Sequence, residues 1–573
     1  MAAIGACDQI QESTVVNINE LTTIAGEWAL QQFADSSGQN IGAPNLDPND
    51  LNGLANAYDT IFNLADQSAS DLSVSGNPSS FLPTGAQCAG GSPPVNCDGL
   101  ERLDTLADIV AACINSSGPT STACEKLFCD ATPGATYSGG NCSVTPTITN
   151  TLEAALSIAE NPTNNVGSLF ALATPNAPFE PTLASTPDGW EIALNYAPAG
   201  AVFNDPKQVA LDASGNVFVV NRTSVSELPV ASSYSTGLNF APSGAALNDP
   251  ISIAIDQSGN VFLANQTGDS VSEIFAADMG MGPYGTGANF NNLNTGSPGA
   301  VFNQPSSIAL DQTGNIFVAN SEGNSVSELT EGDSYGTGLN FNNSNTGSPG
   351  AVFSGPVSIA LDSNGDVFVA NNTGSSVSEL TESDSYATGL KFAPAGALIN
   401  GPIAIAVDRA ANLFVANLNG SSVSELASPS YGTSGSNFNN TSDPGAAFNL
   451  PNSLAVDGSG NVFVSNAGGN SVSELTNASS YATALHFAPA GAAFNEPVSL
   501  AVDASGNLFV ANYLGGSVSE LIGVATPDIT PLSAGGAGRA GAAIIVFLTL
   551  LTLWYGRKYR TAVGRNASGK KMA

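Results

Sequence analysis

Between residues ~190 and ~525 the apolar and polar positions follow one recurring order. A short apolar run comes first, as in Gln208-Val-Ala-Leu211, and is followed by the polar stretch Asp212-Ala-Ser-Gly-Asn216. Next comes Val217-Phe-Val-Val220, apolar at every position, and then Ser224-Val-Ser-Glu-Leu228. Runs this short, bounded by turn residues, predict strands, and a run apolar on both faces predicts a strand covered from both sides. The Asp-x-x-Gly-Asn stretch predicts a tight turn, because Asp accepts hydrogen bonds from its own backbone and Gly accepts positive φ. Tyr234 to Phe240 (YSTGLNF) supplies a fourth, outer strand. We label the four strands A to D.

The order recurs seven times, with its aspartate at Asp212, Asp256, Asp311, Asp362, Asp408, Asp457 and Asp503. Repeats of this length, each carrying four strands, predict the blades of a β-propeller. Two copies depart from the turn pattern, with Asp366 in place of Asn and Ala411 in place of Gly. The seventh copy ends at Glu520-Leu521 with no strand D behind it, whereas Ala193-Leu-Asn-Tyr-Ala-Pro198, ahead of the first copy, has a strand-D sequence. The expectation is a closed ring of seven blades, with the N-terminal strand completing the last and removing an open sheet edge.

The unit Pro-x-x-Ile-Ala-Leu-Asp-x-x-Gly-Asn-Val-Phe-Val-Ala-Asn resembles the NHL repeat over about three-fifths of the chain. The whole arrangement is similar to bacterial exported NHL-repeat proteins with a helical N-terminal segment. The resemblance implies a propeller. It leaves function open, since the fold hosts binding modules, extracellular sensor domains and some lyases and lactonases.

Ahead of the repeats the apolar spacing turns helical, at Thr22–Phe33, Leu54–Leu64, Leu103–Ile114 and Thr151–Ala159. All seven cysteines lie here, at Cys7, Cys88, Cys97, Cys113, Cys124, Cys129 and Cys142. The last six are the disulfide candidates, with Cys7 left over, and no Cys/His spacing suggests zinc. The predicted organisation is a helical, cysteine-containing domain over 1–170, a linker over 171–188, the propeller over 189–525 and a second linker over 526–539. A transmembrane or cleaved sorting helix over 540–556 and a basic tail over 557–573 complete the chain.

Residues 540–555 carry no charge and end in Trp554-Tyr555, ahead of a basic cluster beginning at Arg557. That order predicts a membrane anchor with the tail in the cytoplasm and residues 1–538 outside. Met1 to Cys7 show neither a basic nor an apolar signal-peptide region, and the expectation is that export information lies upstream of Met1, with the C-terminal segment as the alternative.

Composition narrows the function classes. Of the 13 basic side chains seven fall in the last 35 residues, which leaves 6 basic against 48 acidic in residues 1–538. A body this acidic repels phosphate backbones, so nucleic acid is not an expected partner. The chain holds one histidine, His486, in an outer-strand sequence, and no Ser/His/Asp set can be assembled. The expectation is therefore no catalytic residue, no cofactor, no metal and no enzyme, with a lyase- or lactonase-like propeller as the alternative.

The expected role is an extracytoplasmic binding or scaffolding module for a protein, peptide or glycan. Its candidate residues sit on the D-to-A loops: Asn204, Asp205, Asn248, Asp249, Asn303, Gln304, Asn400, Asn449, Asn495 and Glu496. The B-to-C loops, which begin at Asn221, Asn265, Asn320, Asn371, Asn417, Asn466 and Asn512, share that face and add to an amide-rich rim. A second alternative, calcium held at the Asp-x-x-Gly-Asn turns, would make the chain a calcium-dependent surface protein. The recurring glutamates Glu227, Glu273, Glu328, Glu379, Glu425, Glu474 and Glu520 lie on strand C, too far apart for a shared ion, and are expected to face water or accept loop hydrogen bonds.

Overall fold

The computed structural model describes residues 19–43, 48–65, 82–83, 85–88, 96–173, 178–276, 284–294, 299–345, 350–433, 435–443 and 445–527. Cys7 and the membrane or sorting helix expected over 540–556 lie outside them. Among the described residues no helix is long and apolar enough to cross a membrane.

The repeats fold into seven four-stranded antiparallel sheets, one per blade. In the second blade strands A to D are Pro250–Ile255, Val261–Asn265, Ser270–Ile274 and Gly287–Asn291. Strand B is fully buried in every blade because its two faces serve different neighbours. Ile316 and Val318 of the third blade pack toward the second, whereas Phe317 and Ala319 pack toward the fourth. Each blade thus shares a hydrophobic layer with the next, which fixes the register of the ring.

The Asp turns form as expected. Asp212 Oδ1 accepts the backbone N–H of Ser214 and Asn216, both at 2.9 Å, and Oδ2 accepts the Asn216 amide at 2.7 Å. Ala411 takes φ +63° where the other copies use Gly, at a cost of about 1 kcal/mol.

The closing strand is where the repeat count placed it. Ala193–Tyr196 pairs antiparallel with Ser517–Leu521 and supplies strand D of the seventh blade. The outer strand of the first blade is shorter than predicted, covering only Leu238–Phe240. Ahead of it Val230–Ser232 forms one 3₁₀ turn, and Tyr234 takes φ +62° and is buried. Its ring meets Phe509 of the seventh blade edge-on at 5.5 Å. The same tyrosine recurs as Tyr284, Tyr335, Tyr386, Tyr431 and Tyr481, each against a strand-B phenylalanine of the preceding blade. A residue predicted to extend an outer sheet edge is instead an inter-blade bolt.

The N-terminal part holds helices α1 (Glu20–Leu30), α2 (Pro48–Leu64), α3 (Gly85–Cys88), α4 (Cys97–Ile114), α5 (Thr122–Ala131), α6 (Thr151–Glu160) and α7 (Val166–Phe170). Three disulfides join sequential cysteines: Cys88–Cys97, Cys113–Cys124 and Cys129–Cys142. The helices do not stand apart from the ring. Trp28, Ile61 and Leu103 share one core with Trp190, Leu194 and Tyr196 and with Val209, Val217 and Phe509 of the first and seventh blades.

Polar contacts locate the docking. Asn52 and Asn56 of α2 donate to the carbonyls of Ala213 and Ser214, and Ser505 donates to Gly53. Along the outer strand, Asn96 and Asn195 exchange side-chain-to-backbone hydrogen bonds. The helical part therefore covers the A-to-B turns of blades one and seven and the outer edge of the closing strand.

Candidate functional site

Antiparallel strands put the D-to-A and B-to-C loops on one face and the A-to-B and C-to-D loops on the other. On the first face the two sets of asparagines separate sharply. Asn204, Asn248, Asn303, Asn400, Asn449 and Asn495, on the D-to-A loops, are all exposed. Asn221, Asn265, Asn320, Asn371, Asn417, Asn466 and Asn512, at the ends of strand B, have no exposed surface.

The buried set is a structural lock. Asn371 Nδ2 donates to Ser378 Oγ at 2.9 Å and to the Val369 carbonyl at 3.3 Å, and its Oδ1 accepts the Ser354 N–H at 3.0 Å. Ser378 in turn donates to the Val352 carbonyl at 2.8 Å. One amide thus ties strands B and C to the D-to-A loop. The reading of the B-to-C asparagines as part of a binding rim is corrected accordingly.

This separation predicts unequal mutational costs. Asn371→Ala leaves buried partners unpaired and is expected to cost about 2–4 kcal/mol. Asn400→Ala, on the exposed set, is expected to stay within about 0.5 kcal/mol. Denaturant midpoints check both, and equal midpoints for the two variants would count against the lock.

The second residue of each D-to-A loop is left-handed: Asp205 (φ +53°), Asp249 (+55°), Gln304 (+50°), Leu450 (+51°) and Glu496 (+54°), with Gly355 and Gly401 in the remaining copies. In blades two to seven the carbonyl at this position accepts an N–H from the B-to-C loop, as Gln304 does from Ser321 at 3.0 Å, whereas in the first blade Arg222 donates to the preceding Asn204. The repeated geometry presents the loop side chains from a fixed frame.

Charge concentrates at one part of this face. Lys207 donates to Asp249, Thr267 Oγ1 donates to Asp249 at 3.1 Å, and Arg222 lies 3.7 Å from Asp205. Burial opposes ionisation of Asp249, but the hydrogen bonds and charge of Lys207, with Thr267, outweigh it and hold the carboxyl below its ordinary value. These groups and Tyr513 line a cleft of about 440 Å³ between the first, second and seventh blades. A second cleft of about 620 Å³, at the fifth blade, is walled by Asn400, Asn437, Asn439 and Asn440. A third, of about 280 Å³, lies beside Asn248 and Asn289. The structure thus brings Asp205, Asn248 and Asp249 together, while Asn303, Gln304, Asn449, Asn495 and Glu496 stand apart on their own loops.

The strand-C glutamates depart most from expectation. Glu227, Glu273, Glu328, Glu379, Glu474 and Glu520 are buried, and Glu425 is partly so. Burial and the turn aspartate of the same blade raise Glu227, Glu273, Glu328 and Glu379 to about 7 and Glu474 to about 8. Glu520 also stands at about 8, raised by burial, while a hydrogen bond from Tyr196 opposes the rise. None of them is exposed, and the donor to Glu520 comes from the closing strand rather than from a loop.

The turn aspartates are saturated by their own turns, and among the described residues no three His, Cys, Asp or Glu side chains converge as metal ligands. The turns therefore give no support to calcium.

No protein-family model and no curated protein matches the chain. Solved structures do. Virginiamycin B lyase from Staphylococcus aureus is 15% identical, covers 58% of this chain and 98% of its own, and has a TM-score of 0.46. The extracellular domain of a hybrid two-component system from B. thetaiotaomicron is 11% identical, covers 57% of this chain and 40% of its own, at 0.42. The WD40 β-propeller domain of Doa1 is 10% identical, covers 57% and 96%, at 0.41. The expectation that the chain is not an enzyme is corrected here: the similar solved structures include a lyase. At these identities the likeness shows the fold alone, a seven-bladed β-propeller, and assigns no activity.

Proposed function

We propose that the chain is an NHL-type propeller that binds an extended segment of a partner protein on its D-to-A loop face, outside the cytoplasm. The observation that carries this reading is the contrast between the two faces. The helical part occupies the A-to-B turns of the first and seventh blades, while on the opposite face the exposed Asn248 and Asn400 of the D-to-A loops line clefts. Side-chain amides match the alternating donors and acceptors of a peptide backbone. Tyr513 is the one aromatic side chain lining these three clefts, which favours a peptide over a stacked sugar. Three disulfides support an oxidising compartment, and the apolar stretch 540–556 is proposed as the anchor.

A screen of displayed random peptides, with a glycan array in parallel, tests the reading. Selected peptides are expected to lose about tenfold or more in affinity with Asp249→Asn or Arg222→Ala, and none with Asp384→Asn on the opposite face. No peptide above background, or equal binding by all three variants, would overturn it. Glycan hits alone would replace the ligand class.

A further inference from the structure

The opposite face carries a cleft that the D-to-A reading does not use. It lies between the second and third blades, has a volume of about 760 Å³, and is lined by Asp256, Glu273, Asp311 and Glu331, with Phe290 and Tyr335 as walls. The lining holds no lysine, arginine or histidine. Phe290 and Tyr335 meet edge-on at 5.4 Å, which leaves ring surface beside the carboxylates.

The four acids are not equivalent. Asp256 and Asp311 spend their oxygens on their own turns. Glu331 lies at the exposed rim. Glu273 is 7% exposed, and among the described residues only burial and the negative Asp256 act on its carboxyl, with no hydrogen-bond donor and no counter-ion. Ionising a buried carboxyl with negative neighbours and no donor is costly unless a positive group meets it.

The equivalent seam between the seventh and first blades shows what such a position takes when it is covered. There Tyr196 donates to Glu520, and Asn52 and Asn56 of α2 donate to the adjoining turn carbonyls. The chain itself supplies hydrogen-bond donors at that seam. Residues 277–283 (ADMGMGP), which follow Phe275 of this cleft in sequence and lie outside the described residues, contain no basic side chain.

We propose that the cleft between the second and third blades is a receptor for a basic side chain, arginine or lysine, of a partner protein. Glu273 meets the charge, Asp256, Asp311 and Glu331 supply the surrounding negative potential, and Phe290 and Tyr335 offer ring faces to the cation.

The site has a pH signature. Burial first, and Asp256 second, raise Glu273 to about 7. Asp311, Glu331 and Tyr335 face it from the third blade and supply no positive charge. A cation prefers the ionised form, so affinity rises with pH through the range around 7 and proton release accompanies binding.

Ligand-observed NMR with the tripeptide amides Gly-Arg-Gly, Gly-Lys-Gly and Gly-citrulline-Gly tests the site on the whole protein. Saturable binding of the two basic peptides is expected, with citrulline at least about tenfold weaker and Glu273→Gln at least about tenfold weaker than the unaltered chain. Glu331→Gln weakens binding less and provides a second variant should Glu273→Gln lower the melting temperature. Glu322→Gln, on a B-to-C loop of the other face, leaves binding unchanged, which separates this site from the peptide face. Equal binding of the citrulline peptide overturns the proposal, as does unchanged affinity in both Gln variants or the absence of saturable binding at millimolar peptide.

Discussion

Leu194→Pro is expected to open the ring. Leu194 sits opposite Glu520 in the closing strand, with its side chain fully buried in the core shared by helices and blades. The Ile522 N–H donates to the Ile192 carbonyl at 3.1 Å, and antiparallel alternation makes Leu194 and Glu520 the next hydrogen-bonded pair. Asn195, by contrast, turns its N–H outward to Asn96 at 2.8 Å. Proline at 194 removes a ladder donor, places a ring where the strands approach, and leaves the Leu site unfilled. The combined cost is about 5 kcal/mol or more.

Position makes this cost global. Ala193–Tyr196 joins the start of the ring to its end, so its loss bares the Ser517–Leu521 edge and detaches the helical part from the seventh blade together. Leu390→Pro is the control, because Leu390 occupies the outer strand of the fourth blade, is exposed, and pairs with Glu379 without closing anything. The closing-strand variant should show a far lower denaturation midpoint and oligomers by size exclusion, and the control a modest local loss. Comparable midpoints for the two would mean that the N-terminal strand does not close the ring energetically.

How much of this was legible in the sequence depends on whether a feature is local or lies between blades. Turn residues and strand B could be read because Asp212, Gly215 and the run Val217–Val220 act through their own backbone or through a burial pattern repeated seven times. The closing strand could be read because a missing element at one end matched a spare one at the other. Tyr234 could not, since its ring reaches Phe509 almost three hundred residues away and only a positive φ sends it there. The two asparagine sets have the same side chain in adjacent loops, and burial alone tells the lock from the rim. For the glutamates a signal was present: Glu recurs without exception between Ser and an apolar residue in Ser-Val-Ser-Glu-Leu or Ser-Val-Ser-Glu-Ile, where an exposed position would have drifted to other polar residues. The docking site of the helices has no such signal, because Asn52 and Asn56 meet backbone carbonyls.

Those glutamates make the protein more stable in mild acid than at alkaline pH. Burial first, and then the turn aspartate of the same blade, raise Glu227, Glu273, Glu328 and Glu379 to about 7 and Glu474 to about 8, and Glu520 reaches about 8. In the helical part burial lifts Glu27 and Asp104 to about 8 and Asp108 to about 7. The unfolded chain releases these protons near pH 4 to 4.5, whereas the folded chain keeps them until pH 7 to 8. Between those limits the native state binds more protons, so stability falls as pH rises and levels off above about 8. Groups held low, Asp35 at about 2 with Asp249, Asp333 and Asp384, act in the other direction, and their contribution is lost only as pH falls below about 4. Each buried glutamate contributes about 1–2 kcal/mol after allowance for relaxation and water entry, so the set outweighs any single contact described above. Calorimetry at constant ionic strength is expected to give a melting temperature several degrees higher at pH 5 than at pH 8. The net charge of −35 pushes the same way, and two controls separate it: added salt screens the surface charge and leaves the buried carboxyls, whereas combining Glu227→Gln, Glu328→Gln, Glu379→Gln and Glu474→Gln removes much of the slope. A melting temperature that is flat or rises from pH 5 to 8, or a quadruple variant with the original slope, would show that the strand-C carboxyls ionise as freely in the ring as in the open chain.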